Sequence, residues 1–203
     1  MGFATFFPYR TSHIAGTLEG NLLPKGLMNK ILIIGSGGAG KSTASKSLHK
    51  LTGLPLIHLD SYYWKPNWVE SSKSEWEKTV QNLCSEPKWI MDGNYSGTLD
   101  YRIACSDTII FLHFPRLTCL SGVFKRRFLV KRIDDIPGCP ERIDFAFFSW
   151  IWNYNKTRAP QIIKKLESLD NKTIYILKNR RQLQKLLKDI KSRQETISNL
   201  DGR

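Results

Sequence analysis

The feature that most constrains this chain is the segment Gly-Ser-Gly-Gly-Ala-Gly-Lys-Ser at positions 35–42, which matches the pattern G-x-x-x-x-G-K-S. It follows a short β-branched run at 31–34 and precedes a sequence of helical character. In this strand–loop–helix context, glycines let successive backbone N–H groups point at phosphate oxygens, and the helix N-terminus adds partial positive charge. The alternative, a glycine-rich turn that binds nothing, does not require this context. The segment therefore predicts a binding site for a nucleoside triphosphate.

Within this loop, Lys41 is expected to reach the β- and γ-phosphates, and the Ser42 hydroxyl to bind Mg²⁺. The residues predicted to bind the nucleotide share the loop and the first turn after it: Gly35, Gly37, Gly38, Ala39, Gly40, Lys41, Ser42 and Thr43. The segment Asn-Lys-Thr-Arg at 155–158 resembles the guanine-reading motif N-K-x-D but ends in arginine, so the carboxylate that would read guanine is missing. We therefore expect ATP with Mg²⁺ rather than GTP.

Strand-like and helix-like segments alternate along the chain. Apolar runs at 31–34, 54–59, 89–91, 108–114 and 173–177 predict five strands, and helical patterns fall at 41–51, 72–85, 117–132, 141–169 and 179–190. Within the fourth helical segment, Pro160 marks a kink or junction. This alternation predicts an α/β fold with a parallel sheet covered by helices on both faces. Residues 28–193 are predicted to form the domain, residues 1–27 a loosely ordered extension or an upstream-start artefact, and residues 194–203 a tail.

The formal net charge of +13 is concentrated in the second half of the chain. Residues 116–165 hold eleven Lys or Arg against four Asp or Glu, and residues 172–193 hold eight against one. Such a balance indicates an anionic partner, either the phosphates of a nucleotide or a nucleic acid such as DNA. For residues 180–193 the preferred interpretation is a solvated basic face without a specific ligand. Four cysteines without C-x-x-C spacing look like reduced thiols, which favours a cytoplasmic protein. No apolar run approaches the roughly 20 residues needed to cross a membrane.

Ligands of open parallel sheets bind at the carboxyl ends of the strands, so the polar residues at those positions are candidates for chemistry. Asp60 follows the second strand and is predicted to orient or deprotonate an acceptor hydroxyl. Tyr63, among the aromatics that follow, is predicted to bind the substrate by stacking, with core packing as the alternative. Asp92 follows the third strand and is predicted to hold Mg²⁺ through water, together with Ser42. The alternative for both aspartates is a role in capping a turn.

Further candidates lie after the third and fourth strands. Asn94, Tyr95 and Arg102 are predicted to hold the acceptor, Arg102 by a bidentate clamp on an anionic group, with a surface salt bridge as the alternative. Closely spaced arginines after the fourth strand suit a mobile lid that stabilises charge during transfer, and Arg126 is taken as its catalytic member. The same basic residues could instead contact the phosphates of DNA.

Taken together, these motifs resemble the P-loop kinases related to adenylate, shikimate and gluconate kinases, and most of all the bacterial DNA topology modulation (FlaR-related) family. The resemblance covers roughly residues 28–190 and rests on an ordered set of motifs: the loop at 35–42, L-D-S-Y-Y-W at 59–64, D-G-N-Y at 92–95, T-L-D-Y-R at 98–102, D-T-I-I-F-L at 107–112, P-R at 115–116, K-R-R at 125–127 and G-C-P-E-R at 138–142. It implies a P-loop NTPase three-layer sandwich with strand order 2-3-1-4-5, a helical lid at about 125–142, and ATP as phosphoryl donor.

Two departures from that resemblance bear on the acceptor and the metal. Adenylate kinases continue D-G with F-P-R, whereas Asn94 and Tyr95 follow here, which argues against AMP as the acceptor. His113 stands where the related proteins carry an acidic residue. The sequence therefore predicts a small-molecule kinase with an unidentified acceptor. The alternative is a nucleotide-regulated, DNA-associated protein without small-molecule kinase activity.

Overall fold

The computed structural model describes residues 28–129, Ile136, Gly138, Cys139 and residues 145–201. The predicted extension at 1–27 lies outside these residues, as does most of the predicted lid at 125–142. No helix in the part of the chain that the structure describes is both long enough and apolar enough to span a membrane. All four cysteines are free thiols.

The centre of the fold is a five-stranded parallel sheet, made of β1 (Lys30–Gly35), β2 (Leu56–His58), β5 (Trp89–Asp92), β6 (Thr108–Leu112) and β7 (Thr173–Leu177). The strands lie in the order β2-β5-β1-β6-β7. Counted by these five strands alone, this is 2-3-1-4-5, which confirms the predicted order. The central strands are rich in isoleucine and leucine and almost wholly buried, as expected when helices cover both faces of a parallel sheet.

Eight helices accompany the sheet in the described part of the chain: α1 (Lys41–Thr52), α2 (Asp60–Tyr63), α3 (Lys73–Ser85), α4 (Leu99–Cys105), α5 (Arg116–Leu129), α6 (Phe145–Thr157), α7 (Ala159–Glu167) and α8 (Arg180–Asp201). One buried core joins the sheet to α1, α5 and α8, and a second joins its other face to α3, α4 and α7. The predicted three-layer α/β architecture is confirmed.

A capping box stands at the start of α3. The Ser72 hydroxyl accepts from the backbone N–H of Glu75 at 3.3 Å, and the Ser72 N–H donates to the Glu75 carboxylate at 3.0 Å. Two orphan donors of the first turn are thereby satisfied. This local pattern needs no tertiary information, which is why the sequence could predict the helix start.

Two helical segments differ in detail from the prediction. The segment predicted as helical over 141–169, with Pro160 marking a kink or junction, consists of two helices, α6 and α7, which meet at Arg158. Pro160 lies in the first turn of α7, where a missing N–H costs nothing, so the chain restarts a helix there. The last helix runs to Asp201 rather than ending near 190. The first difference matters for function because it places Arg158 at a helix junction.

A small antiparallel hairpin, which the sequence does not predict, follows α2. It pairs β3 (Trp64–Lys65) with β4 (Val69–Glu70). At its tip, the backbone N–H of Asn67 donates to the Gly138 carbonyl oxygen at 2.8 Å. The hairpin therefore contacts the few described residues of the predicted lid segment.

Candidate functional site

The phosphate loop joins β1 to α1 at the carboxyl edge of the sheet. Gly38 and Gly40 adopt φ values of 72° and 90°, in the left-handed region that favours glycine. The Lys41 ammonium turns back over the loop and donates to the carbonyl oxygens of Gly35 at 3.0 Å and Ser36 at 3.1 Å. The structure thus brings together the backbone turn, the helix start and the cation that the sequence predicted at this loop.

Helix α5 packs against this loop at backbone distance. A Cβ atom placed on Gly122 would lie 2.2 Å from the carbonyl oxygen of Gly38, and one on Gly38 would lie 2.1 Å from the carbonyl oxygen of Cys119. Such contacts exist only because both residues lack a side chain. Gly122 is a positioning residue that the sequence reasoning missed. The available signal was a glycine inside a helical pattern, which costs about 1 kcal/mol relative to alanine and usually has a packing reason.

Replacing Gly122 by alanine is expected to destabilise the protein and weaken ATP binding. Helix propensity alone predicts that alanine raises the free energy of unfolding by about 1 kcal/mol. Overpacking against Gly38 opposes this effect, since such strain lowers the free energy of unfolding by about 1–3 kcal/mol. The free energy of unfolding and the ATP dissociation constant should both be measured.

Gly97→Ala is the matched control for this substitution. Nothing lies within 4 Å of a Cβ atom at that position, and its φ lies outside the left-handed region. We expect its stability to stay within about 0.5 kcal/mol of the wild type. A Gly122→Ala variant more stable than the wild type, with unchanged ATP affinity, would contradict the packing argument.

The Asp92 carboxylate is buried at the end of β5 and held from two sides. The Ser45 hydroxyl donates to Asp92 Oδ2 at 2.6 Å, and Nδ1 of His58 lies 2.9 Å from the same oxygen. His58 faces Asp92 across the β2–β5 register, and Ser45 lies one turn beyond Ser42 on α1. Both residues escaped the sequence reasoning, because their contacts arise from strand register and helix rotation.

The donor set beside the phosphate loop fits Mg²⁺. The Ser42 hydroxyl and the Asp92 carboxylate supply the hard oxygen ligands that this ion prefers, and Mg²⁺ usually completes its shell with water and substrate phosphates. Among the described residues, no group of three or more His, Cys, Asp or Glu side chains could hold a metal ion by itself. The residues present therefore suit a metal ion that is bound partly by the phosphates of the nucleotide rather than by protein side chains alone.

Asp60 and Tyr95, both predicted to face the acceptor, are in direct contact. The Tyr95 hydroxyl donates to Asp60 Oδ1 at 2.6 Å. Burial and the neighbouring carboxylate raise the pKa of Tyr95, so the phenol keeps its proton and the carboxylate keeps a donor. Tyr63 packs its ring 4.5 Å from that of Tyr95 and donates its hydroxyl to Glu70 at 2.9 Å. Tyr63 thus supports this pair through ring packing.

The structure corrects the role predicted for Arg102. Its side chain is wholly buried, and its guanidinium donates to the carbonyl oxygens of Gly93, Asn94 and Tyr95 at 3.0, 2.9 and 2.8 Å. Burial lowers the pKa of Arg102 to about 10, which leaves it charged at neutral pH. Side chains on a helix point back toward its N-terminus, so Arg102 on the short helix α4 reaches the loop that precedes it. Arg102 fixes the loop after β5, and its buried guanidinium is not exposed to clamp a ligand as predicted.

Asn94 connects this loop to the phosphate loop. Its side-chain oxygen accepts from the backbone N–H of Gly35 at 3.2 Å. Because Arg102 holds the carbonyl of the same residue, the first residue of the phosphate loop is indirectly tied to a buried cation. Asn94 therefore lies against the backbone of the phosphate loop, and its contact with an acceptor stays a prediction.

Arg116, the first residue of α5, contacts a tryptophan of α6. Its guanidinium carbon lies 3.8 Å from the ring centroid of Trp152, a cation–π contact between α5 and α6. The side chain of Arg126, the predicted catalytic member, lies outside the part of the molecule that the structure describes. Its role remains a prediction.

A cavity of about 350 Å³ is lined in part by Ile34, the residue that precedes the phosphate loop. One wall is the loop after β5, including Asn94 and Tyr95, and the opposite wall comes from α6 and α7, including Trp150, Tyr154 and Arg158. The sequence did not predict the α6–α7 wall, since the helix break that forms it was expected only as a kink or junction. A cavity of this size suits a small ligand.

Comparison with solved structures places this architecture among known folds. The chain is similar to shikimate kinase from Acinetobacter baumannii, with 18% identity, a TM-score of 0.54, and coverage of 82% of this chain and 94% of that one. It is also similar to a gluconokinase from Sinorhizobium meliloti (12% identity, TM-score 0.48, coverage 85% and 95%) and to deoxyadenosine kinase from M. mycoides (16% identity, TM-score 0.46, coverage 78% and 97%). No protein-family model and no curated protein sequence matches the chain.

Of these three similarities, the shikimate kinase has a TM-score above 0.5, and at 18% identity it establishes the fold and not the substrate. The chain thus has the α/β fold of the P-loop kinases, with a five-stranded parallel sheet and helices on both faces.

Proposed function

We propose that this chain is a kinase that uses ATP and Mg²⁺ to phosphorylate a hydroxyl group of a small molecule such as a nucleoside, a nucleotide or a hydroxy acid. The observation that carries the proposal is that Asn94 connects the phosphate loop to the cavity. Asn94 accepts from Gly35 in the loop and also lines the cavity. An acceptor in the cavity would thus lie beside the triphosphate, which is the proximity that phosphoryl transfer needs.

In this proposal the acceptor hydroxyl oxygen attacks the γ-phosphorus, the bond from that phosphorus to the bridging oxygen breaks, and ADP leaves. Asp60 receives the hydroxyl proton, and its hydrogen bond from Tyr95 holds it in place. The loop N–H groups and Lys41 stabilise the charge that develops on the phosphoryl oxygens. Bound Mg²⁺ would neutralise phosphate charge, with Ser42 and Asp92 as the residues that would hold it. Arg126 would add charge from the lid.

Within this fold we infer membership of the bacterial DNA topology modulation (FlaR-related) group and a cytoplasmic location. The ordered motifs from residue 35 to residue 142 support the first inference, and the four free thiols support the second. The rival function, a nucleotide-regulated DNA-associated protein, draws on the net charge of +13. No contact in the described residues favours that rival over a kinase.

The experiment that tests the function is ADP release from Mg-ATP in the presence of nucleosides, nucleoside monophosphates and small hydroxy acids. We expect release that depends on one acceptor class and that saturates with it. ATP binding without acceptor-dependent release would contradict the kinase proposal. If it were accompanied by DNA retention that falls steeply with salt, the DNA-associated alternative would replace it.

A further inference from the structure

The Asp92 carboxylate lies in a buried polar cluster between the sheet and α1. Asp92 is 5% exposed, and Ser45 on α1 is wholly buried. His58 comes from the neighbouring strand, and its side chain is 15% exposed. Side chains alternate between the two faces of a sheet, and paired residues share a face, so the β2–β5 register places the imidazole beside the carboxylate. Two elements of the fold therefore hold one charged group.

The direction of each hydrogen bond in this cluster follows from the chemistry of the groups. A carboxylate only accepts, so Nδ1 of His58 donates, to Oδ2 at 2.9 Å and to Oδ1 at 3.1 Å. The Ser45 hydroxyl has one proton and two acceptors within reach, Asp92 Oδ2 at 2.6 Å and the Ser42 carbonyl oxygen at 3.1 Å. The shorter, charge-assisted bond to the carboxylate takes the proton. Oδ2 is thus satisfied by the protein from two sides.

The acceptor capacity of Asp92 is therefore divided unequally between its two oxygens. A carboxylate offers about four lone-pair sites, shared by its two oxygens. Oδ2 accepts from both Ser45 and His58, whereas Oδ1 has a share of the longer bond from His58. Oδ1 is the oxygen with capacity for a water molecule of a bound ion. A carboxylate that rotated freely would lose this distinction, so the two donors contribute a fixed carboxylate plane.

The same cluster is connected to the other residue expected at the metal ion. Ser42 and Ser45 lie three residues apart on α1, about one turn, so their side chains lie on one face of the helix. A rotation of α1 that moves the Ser42 hydroxyl therefore also moves the donor to Asp92. His58 in turn fixes Asp92 to β2. The relative position of the two expected ligands depends on Ser45 and His58.

We propose that His58 and Ser45 are positioning residues for Mg²⁺, which set the affinity of the ATP-loaded site for the ion by fixing the Asp92 carboxylate. The inference rests on the proposed use of ATP with Mg²⁺. It goes beyond that proposal by assigning metal affinity to two residues that lie outside the phosphate loop. Replacing the hydrogen-bond partner of a metal ligand typically lowers metal affinity by about 10- to 100-fold.

The test measures ATP binding by calorimetry at a series of Mg²⁺ concentrations and again in EDTA. In His58→Ala, the Mg²⁺ concentration that gives half of the full gain in ATP affinity should rise about 10-fold. This is the lower end of the range, because Asp92 is expected to hold the ion through water. The ATP dissociation constant in EDTA should match the wild type, since the loop and Lys41 bind phosphates without the ion. A merely structural role would change both constants.

Two further variants separate the hydrogen bonds from packing. Ser45→Ala removes the hydroxyl donor with little change in volume, and it should raise the Mg²⁺ requirement in the same direction as His58→Ala. His58→Asn places an amide N–H near the position of Nδ1, so it should recover part of the loss. Recovery by an amide shows that a donor to Asp92 is needed rather than an imidazole as such.

His49→Ala is the matched control. His49 lies on α1, and its Nδ1 lies 2.7 Å from the Leu54 carbonyl oxygen. The substitution therefore also removes an imidazole and one hydrogen bond, but that bond is to a backbone carbonyl rather than to Asp92. We expect the Mg²⁺ requirement of this variant to match that of the wild type.

The outcomes distinguish this inference from the proposed function. Wild-type Mg²⁺ dependence in His58→Ala and Ser45→Ala, or ATP binding weakened by the same factor with Mg²⁺ and in EDTA, would overturn the inference and leave the kinase proposal intact. The inference also fails if Mg²⁺ leaves the ATP affinity of the wild type unchanged. A raised Mg²⁺ requirement in both variants, without acceptor-dependent ADP release by the wild type, would support the positioning role and overturn the kinase proposal.

Discussion

Lys41→Ala is expected to lower ATP turnover by at least about 100-fold, the usual effect of removing one preorganised donor from a developing oxyanion. In the structure its ammonium lies over the phosphate loop, with hydrogen bonds to the carbonyl oxygens of Gly35 and Ser36. In the proposed function the same group would reach the transferring phosphoryl group when the nucleotide is bound. Steady-state ADP release, measured with the acceptor that the wild type uses, gives the loss directly.

Two comparisons keep this result interpretable. Lys50→Ala removes an exposed cation from the other end of α1 and should leave turnover unchanged. Lys41→Met keeps the length of the side chain, so a loop that collapses only because of lost packing would be rescued by it. Turnover of Lys41→Ala within about threefold of the wild type would exclude a role for this residue in transfer.

Arg102→Met is expected to lower the free energy of unfolding by about 3–5 kcal/mol, near the upper end for a single substitution. The change leaves three backbone carbonyl oxygens and the Thr98 hydroxyl without the donors that now reach them. A buried polar group that loses its partner costs about 1–3 kcal/mol. Because the freed loop carries Asn94 and Tyr95, acceptor-dependent turnover should fall as well. Urea denaturation measures the first effect.

Arg181→Met is the control for Arg102→Met. Arg181 is exposed on α8, and its loss should change stability by no more than about 0.5 kcal/mol. Arg102→Lys should stay well below the wild type, since an ammonium cannot reproduce a planar fork that serves three carbonyls. If the free energy of unfolding of Arg102→Met lies within about 1 kcal/mol of the wild-type value, the guanidinium does not hold the loop as described.

The fold could be predicted from the sequence because its determinants are local and repeated. The apolar runs of β1, β6 and β7 identify buried strands, the Ser72–Glu75 pair marks a helix start, and the phosphate loop specifies a strand before it and a helix after it. Strand order is not local, and it came from the resemblance to P-loop kinases. The helix junction at Arg158 was predicted only as a kink or junction at Pro160.

The candidate site was predicted in part, and the reason lies in where side chains point. Asp60 and Tyr95 were assigned to the same acceptor site, and their side chains meet. Arg102 was placed in the right segment with the wrong direction, because its rotation on a helix of seven residues depends on where that helix begins. Gly122 and Arg158 belong to no sequence motif. Gly122 matters because the backbones of α5 and the phosphate loop approach closely there, and Arg158 because it lines the cavity.

Helix α6 touches both halves of the site, which has a thermodynamic consequence. Phe147 packs so closely on Gly37 that a Cβ atom there would lie 2.9 Å from its ring, while Trp150 and Tyr154 of the same helix line the cavity. A shift of α6 that is favoured by binding of one substrate therefore changes the affinity for the other substrate. Such coupling is reciprocal, so the factor by which acceptor changes ATP affinity must equal the factor by which ATP changes acceptor affinity. Titrations from either side should therefore give one interaction free energy, whichever substrate binds first.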